Sequence, residues 1–159
     1  MEEGIDLAIR WSGALKDSSL IARRFIETRS NLWASPKYMK AFGKPTHPRD
    51  LMNAAFLAHP VLKSVILTNG KSDLELQLNG RVQADDLEVI TPLIVLGAGI
   101  AWLPEFLVKG AVEAGQLVPV LSQWRPKKEQ LWTYYFVSTG RRYALPKVER
   151  FIQTALEQV

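Results

Sequence analysis

Residues 85–106 read DDLEVITPLIVLGAGIAWLPEF, and the parsing of this stretch decides the fold. Asp85 is placed to cap a helix, with Glu88 three residues on reaching back toward the free N–H groups of the first turn. Val89, Ile90, Leu93, Ile94 and Leu96 then fill most faces, which predicts a helix buried nearly all round. Pro92 removes one backbone hydrogen bond and crowds the preceding turn, so a kink is expected there. Gly97 and Gly99 end the helix, because glycine accepts the positive φ that a C-cap wants. Residues 100–103 read as a short inner strand, and Pro104 opens the next helix at its first position. Helix, glycine turn, inner strand and second helix make an α/β core segment.

Gly97-Ala98-Gly99 also looks like the start of a dinucleotide-binding fingerprint. Such a loop must follow a strand and open a helix, and it needs a third glycine where Trp102 stands. Here the order is reversed, so the glycines are read as a helix cap and no cofactor is expected.

At 159 residues, with 47% hydrophobic and 23% charged side chains, the chain can bury a real core as one domain or two small lobes. No apolar run approaches a bilayer span, and residues 1–3 lead into a strand rather than a signal peptide. With no cysteine there is no disulfide or thiol chemistry, so a cytoplasmic location is expected, with no membrane partner. The net charge of +4 raises the question of nucleic acid. The basic residues fall in short separate clusters, Arg23-Arg24, Arg125 with Lys127-Lys128, and Arg141-Arg142, without the aromatic-interleaved stripe of a binding face. Solvated faces and loops account for them.

In chain order, residues 4–11 alternate as a strand with Ile5, Leu7 and Ile9 inward, and Ser12-Gly13 breaks it. Residues 19–26 give a second strand and residues 31–34 a third. Ser35 as N-cap, Pro36 at the first position and Gly43 as C-cap punctuate a compact helix. A short helix starts at Pro48, and residues 54–58 read as strand. A hairpin follows, turning at Asn69-Gly70, with Leu74, Leu76, Leu78 and Val82 on one face. Beyond the opening segment, the second helix stops at Gly115, and residues 117–121 are strand. Residues 123–130, QWRPKKEQ, read as the most linker-like stretch. Residues 131–138 form an aromatic strand, and a closing helix starts at Pro146 with Val148, Phe151, Ile152, Ala155 and Leu156 at helical spacing. The two opening strands with the closing strand and helix suggest one lobe, and the middle of the chain suggests another.

Four stretches taken together resemble the effector-binding domain of LysR-type transcriptional regulators. They are EGIDLAIRWSGALKDSSLIARRFIETRSNLWASPKYM from Glu3, GKPTHPRDL from Gly43, GAGIAWLPEFLV from Gly97 and GQLVPVL from Gly115. Their order and spacing also fit, over nearly the whole chain. The resemblance implies an α/β fold of two lobes like type 2 periplasmic binding proteins, with mixed sheets. Residues 1–29 plus 128–159 would be an incomplete first lobe, and residues 30–127 the second. It implies a small-molecule effector in the inter-lobe cleft and self-association as a dimer or tetramer. DNA would be contacted only through a helix-turn-helix domain that the chain lacks. The match begins at the third strand of the family's domain, which points to an N-terminally truncated regulator whose open sheet edge needs covering. The segment after His59 is shorter than usual for the family, and Pro92 is atypical.

By resemblance, Arg10, Trp11 and Ser12 lie at the end of a first-lobe strand facing the cleft. His59 and Pro60 end a second-lobe strand opposite, Asp85 and Asp86 sit at a helix N-terminus by its mouth, and Trp102 belongs to the same candidate set. Each has a plainer alternative. The aspartates serve as helix caps, Trp11, Trp102 and Trp132 as core or interface aromatics, and His59 as a satisfied strand-end histidine. Arg10 serves equally to organise its strand end. Two aspartates at a helix start repel an anion, which favours a neutral or cationic effector.

Catalysis finds little footing. His47 and His59 stand in separate elements without cysteine, so no zinc cluster or other metal site is expected. There is no GxSxG elbow, and Asp17-Ser18-Ser19 reads as a turn. The alternatives left open are a transporter's solute-binding protein and a module that only dimerises.

Overall fold

A computed structural model describes residues 4–11, 20–127, 132–140 and 145–157. The chain forms two compact units: Met1–Thr28 with Trp132–Val159, and Arg29–Leu131. It therefore passes twice between them.

In the first unit, β1 (Ala8–Trp11) and β2 (Leu20–Thr28) flank β11 (Trp132–Thr139), both antiparallel to it. The aromatic run places Phe136 and Val137 in the interior of the central strand, fully buried. The C-terminal helix α4 (Pro146–Leu156) starts on its proline and lays Val148 and Ile152 against Phe136, with Leu7 and Phe25 alongside. β1 is shorter than the alternation predicts, and Ile5 and Ile9 are exposed rather than inward. The reason is position: β1 is an edge strand, and α4 covers only part of that face.

The second unit is built on a five-stranded mixed sheet in the order β7–β4–β8–β3–β9. These are β3 (Ser30–Ala34), β4 (Phe56–Ala58), β7 (Gly80–Gln83), β8 (Ile100–Pro104) and β9 (Val118–Val120). β4 runs parallel to β7 and β8, while β3 is antiparallel to β8 and β9. Helices α2 (Leu87–Val95) and α3 (Glu105–Glu113) cover one face. Ile90, Ile94 and Val108 pack there on Trp33, Leu57, Ala101 and Leu103. β5 (Ser64–Thr68), β6 (Asp73–Gln77) and β10 (Arg125–Pro126) form a small separate antiparallel sheet. Helix α1 (Pro36–Phe42) has the expected punctuation, with the Ser35 hydroxyl accepting from the Tyr38 amide at 3.2 Å and Gly43 at its end. The short helix expected from Pro48 is a 3-10 turn, Pro48–Leu51.

The opening segment folds as helix, turn and strand, with four corrections. Asp86, not Asp85, is the N-cap: its carboxylate accepts from the Glu88 amide at 2.8 Å. α2 is not buried all round, since only Ile90 and Ile94 are buried while Val89 and Leu96 are 50% and 73% exposed. One turn apart on one stripe, those two isoleucines are what the sheet can cover. The helix runs through Pro92, and Pro104 closes β8 as the N-cap of α3 instead of opening the helix. Its C-terminus is a Schellman pair: Gly97 N–H donates to Ile94 C=O at 3.0 Å and Ala98 N–H to Leu93 C=O at 3.1 Å, with Gly97 at φ 89°. The glycines thus cap a helix and lead into a strand.

Two further expectations fall to long-range pairing. The stretch read as a linker holds β10, paired with β5, and a buried Trp124 whose indole N–H donates to the Thr46 carbonyl at 3.2 Å. Val82 does not extend the hairpin face; it lies on β7, exposed, in a different sheet from Leu74 and Leu76. The Asn69-Gly70 turn is formed, with the Asn69 side chain accepting from the Lys71 and Ser72 amides at 2.9 Å. No helix among the described residues is long and apolar enough to cross a membrane.

Candidate functional site

Because β4 runs parallel to β7 and β8, these three strands end at the same side of the sheet. In open α/β sheets that carboxyl edge is where ligands bind, since the strands deliver loops and helix starts to it together. His59 and Pro60 follow β4 there, and Ala84, Asp85 and Asp86 follow β7. One hydrogen bond joins the two connections: Ala84 N–H donates to the Ala58 carbonyl at 3.2 Å. The structure thus brings together four candidate residues that lie far apart in the chain.

His59 is half-buried and structurally employed. Its Nδ1 accepts from the Val61 amide at 3.2 Å, and its carbonyl accepts from the Leu62 amide at 2.9 Å. With Nδ1 the acceptor, the neutral ring carries its hydrogen on Nε2, which makes that atom a donor. Asp86 spends one carboxylate oxygen on the α2 cap, and both aspartates are exposed. The edge therefore holds an imidazole and two carboxylates at a helix start. That is a surface for a donor-bearing or cationic group, and it opposes an anion.

The remaining candidates sit elsewhere. Trp102 is in the middle of β8, 4% exposed, opposite Leu32 of β3, and the structure does not bring it to the surface with His59 and Asp86. Arg10 and Trp11 belong to the first unit. Arg10 is exposed opposite Tyr135, and half-buried Trp11 stacks on Trp132 with ring centroids 4.9 Å apart. Burial pushes the phenol of Tyr134, the partner of Trp11 across the ladder, above its usual range. Ser12, like Ser18 and Ser19, lies outside the described residues.

Ser30 is a further residue at this edge that pattern reading missed. It pairs with Pro104, the last residue of β8, which puts it on the same carboxyl edge. It is fully buried, and its hydroxyl has no hydrogen-bond partner among the described residues. Such an orphan is uncommon in a folded chain. A serine at a strand start carries no local signal that would have singled it out.

Surface grooves among the described residues include ones of near 570 Å³ beside β1 and α4, 380 Å³ beside the 3-10 turn and β6, and 350 Å³ beside α3. None of these three is lined by a candidate residue. Among the described residues, no group of three His, Asp or Glu side chains could hold a metal ion.

The family model for the LysR substrate binding domain matches residues 1–159. The chain belongs to the LysR substrate-binding family. An HTH-type transcriptional repressor of Pseudomonas aeruginosa strain UCBPP-PA14 is 34% identical, over 99% of this chain and 50% of its own length. The P. aeruginosa regulator PtxR is 28% identical over 98% of this chain and 49% of its own. This LysR chain thus spans about half the length of the curated relatives it matches. Among solved structures, the full-length Vibrio cholerae virulence activator AphB, a member of the LTTR family, superposes with a TM-score of 0.79 at 30% identity, over 96% of this chain and 51% of AphB. The regulatory domain of Neisseria meningitidis CrgA superposes with a TM-score of 0.83 at 24% identity, over 97% of this chain and 75% of that domain; at that identity the likeness is one of fold. The LysR family and these relatives are transcriptional regulators, not enzymes.

Proposed function

We propose that this chain is the effector-sensing and self-associating part of a bacterial LysR-type transcriptional regulator working in the cytoplasm. The observation that carries the reading is the hydrogen bond from Ala84 to Ala58, which sets His59 and Pro60 beside Asp85 and Asp86 at the carboxyl edge of a LysR-type sheet. The effector is a small neutral or cationic molecule. His59 lies at this edge as a polar neighbour, and the aspartates attract the effector's donor or cationic end. Arg10, Trp11 and Ser12 of the first unit stand as a separate proposal by family resemblance, with Trp11 offering an aromatic face. Trp102 supports the edge from within the sheet.

Regulation follows by linkage. An effector that binds one conformation of the chain better than another shifts their populations, and subunit contacts carry the shift onward. DNA is met through a helix-turn-helix domain of the kind named in the relatives, not through this chain. Thermal-shift and calorimetric screening against a metabolite library tests the proposal, since a ligand that binds only the folded state raises its melting temperature. Neutral or cationic hits support it. Hits confined to acidic metabolites contradict the effector class, and a stable chain that no metabolite shifts contradicts the sensor.

A further inference from the structure

The 3-10 turn Pro48–Leu51 and strand β6 line a groove of about 380 Å³, within the size range of small-molecule pockets. One continuous stretch, residues 48–79, supplies every side of it. Phe56 opens β4 and Asn79 precedes β7, so the groove lies at the amino edge of the five-stranded sheet, opposite the edge that holds His59 and Asp86. Its apolar lining includes Leu51, Phe56 and Leu76, all buried, and Met52, which is 82% exposed. An unbranched thioether of that kind adapts to the shape of what it meets.

Two unlike charges line the groove without pairing. Arg49 is exposed, and its guanidinium has no partner among the described residues. The adjacent Asp50 is engaged elsewhere, accepting from the Thr46 and His47 amides at 2.9 Å. Across the groove on β6, Glu75 accepts from the Ser64 hydroxyl through Oε1, which leaves its second oxygen for another donor.

β6 adds main-chain groups. At the ends of the β5–β6 ladder, Leu78 N–H donates to Lys63 C=O at 2.8 Å and Asn69 N–H to Ser72 C=O at 3.3 Å. Bonding alternates along an antiparallel pair, so Leu74 and Leu76 turn their N–H and C=O to β5, while Glu75 and Gln77 turn theirs away. β6 is the outer strand of this small sheet, and those groups have no partner among the described residues.

We propose that this groove is a second ligand site, for a free α-amino acid with an apolar side chain. Arg49 takes the carboxylate, for which a guanidinium is the matching fork. Glu75 takes the ammonium, with its outward main chain offering one more donor and one more acceptor. The apolar lining takes the side chain. A ligand with only one of the two charges leaves the other wall unmatched. The site shares no residue with the candidate edge, so either proposal can fail without the other.

A nitrogen-15 NMR titration with L-leucine tests it, run beside L-leucinamide, which lacks the carboxylate, and N-acetyl-L-leucine, which lacks the ammonium. Saturable shifts at the amides of Met52, Glu75, Gln77 and Asn79 are expected with leucine, at an affinity about tenfold or more above that of either derivative. Arg49→Gln should bring leucine down to the level of leucinamide, and Glu75→Gln down to that of N-acetyl-leucine. Both side chains are exposed, so each variant should keep its fold, and the unliganded spectrum checks this. No saturable shift with leucine at millimolar concentration overturns the proposal, as does a response confined to His59, Ala84 and Asp86. Binding that ignores both derivatives' missing charges overturns it in favour of an uncharged peptide laid along β6.

Discussion

Gly99 lies so close to Ala55 that a β-carbon on it would sit 2.1 Å from the Ala55 carbonyl oxygen. That oxygen also accepts the Ile100 amide at 2.8 Å, the bond that seats β8 beside the segment entering β4. Backbone, not a flexible side chain, fills the space, so nothing there can yield cheaply. Gly99→Ala is expected to cost about 3 kcal/mol, the upper range for overpacking a tight site. Urea denaturation measures it; a loss within the scatter of surface substitutions refutes the close-approach reading.

The α2 cap gives a sharper comparison. Asp86→Ala removes the acceptor of the Glu88 amide and should cost about 1 kcal/mol. Asp85→Ala, one residue earlier, should stay within about 0.5 kcal/mol. Paired thermal melts decide it, and the reverse order would return the cap to Asp85.

Trp11 separates contact from core. Its stacking on Trp132 is worth about 1 kcal/mol, so Trp11→Ala should fold with a modest loss of stability. If Trp11 meets an effector, calorimetry should show affinity falling about tenfold or more, as for loss of one well-packed aromatic anchor. An unfolded variant, or a folded one with unchanged affinity, contradicts the contact.

Acid should loosen the second unit first at two carboxylates. The Lys127 ammonium, 2.8 Å away, and then the Thr68 hydroxyl hold the Asp73 carboxyl below the usual range, and the Thr46 and His47 amides do the same for Asp50. A carboxyl whose folded pKa lies below its unfolded value contributes stability that is complete above about pH 4 and is lost as pH falls through the folded pKa. The melting temperature is therefore expected to fall below about pH 4, and less steeply in Asp73→Asn. Equal slopes in the two proteins would remove Asp73 from the account.

What could be read in advance was what is settled within a few residues. Ser35, Pro36 and Gly43 bound α1 because cap, proline and glycine act locally, and the Gly97 turn announced the end of α2 for the same reason. What escaped depends on distant partners. β10 is a strand only because Thr68 and Leu67 pair with Arg125 and Pro126, and Val82 is exposed because its strand joined β4 instead of the hairpin. The candidate site shows the same division. His59 and Asp86 entered through family resemblance, and no local pattern announces that Ala58 and Ala84 meet, or that the Ser30 hydroxyl is buried on the same edge of the sheet.

The central claim is that a small effector binds at the carboxyl edge of the five-stranded sheet. The most direct measurement is a nitrogen-15 NMR titration of the chain with a ligand from the metabolite screen. Saturable shifts at the amides of His59, Val61, Ala84, Asp86 and Glu88 are the predicted result. Shifts confined to the groove of β1 and α4 or to that of the 3-10 turn, with this edge silent, would contradict it.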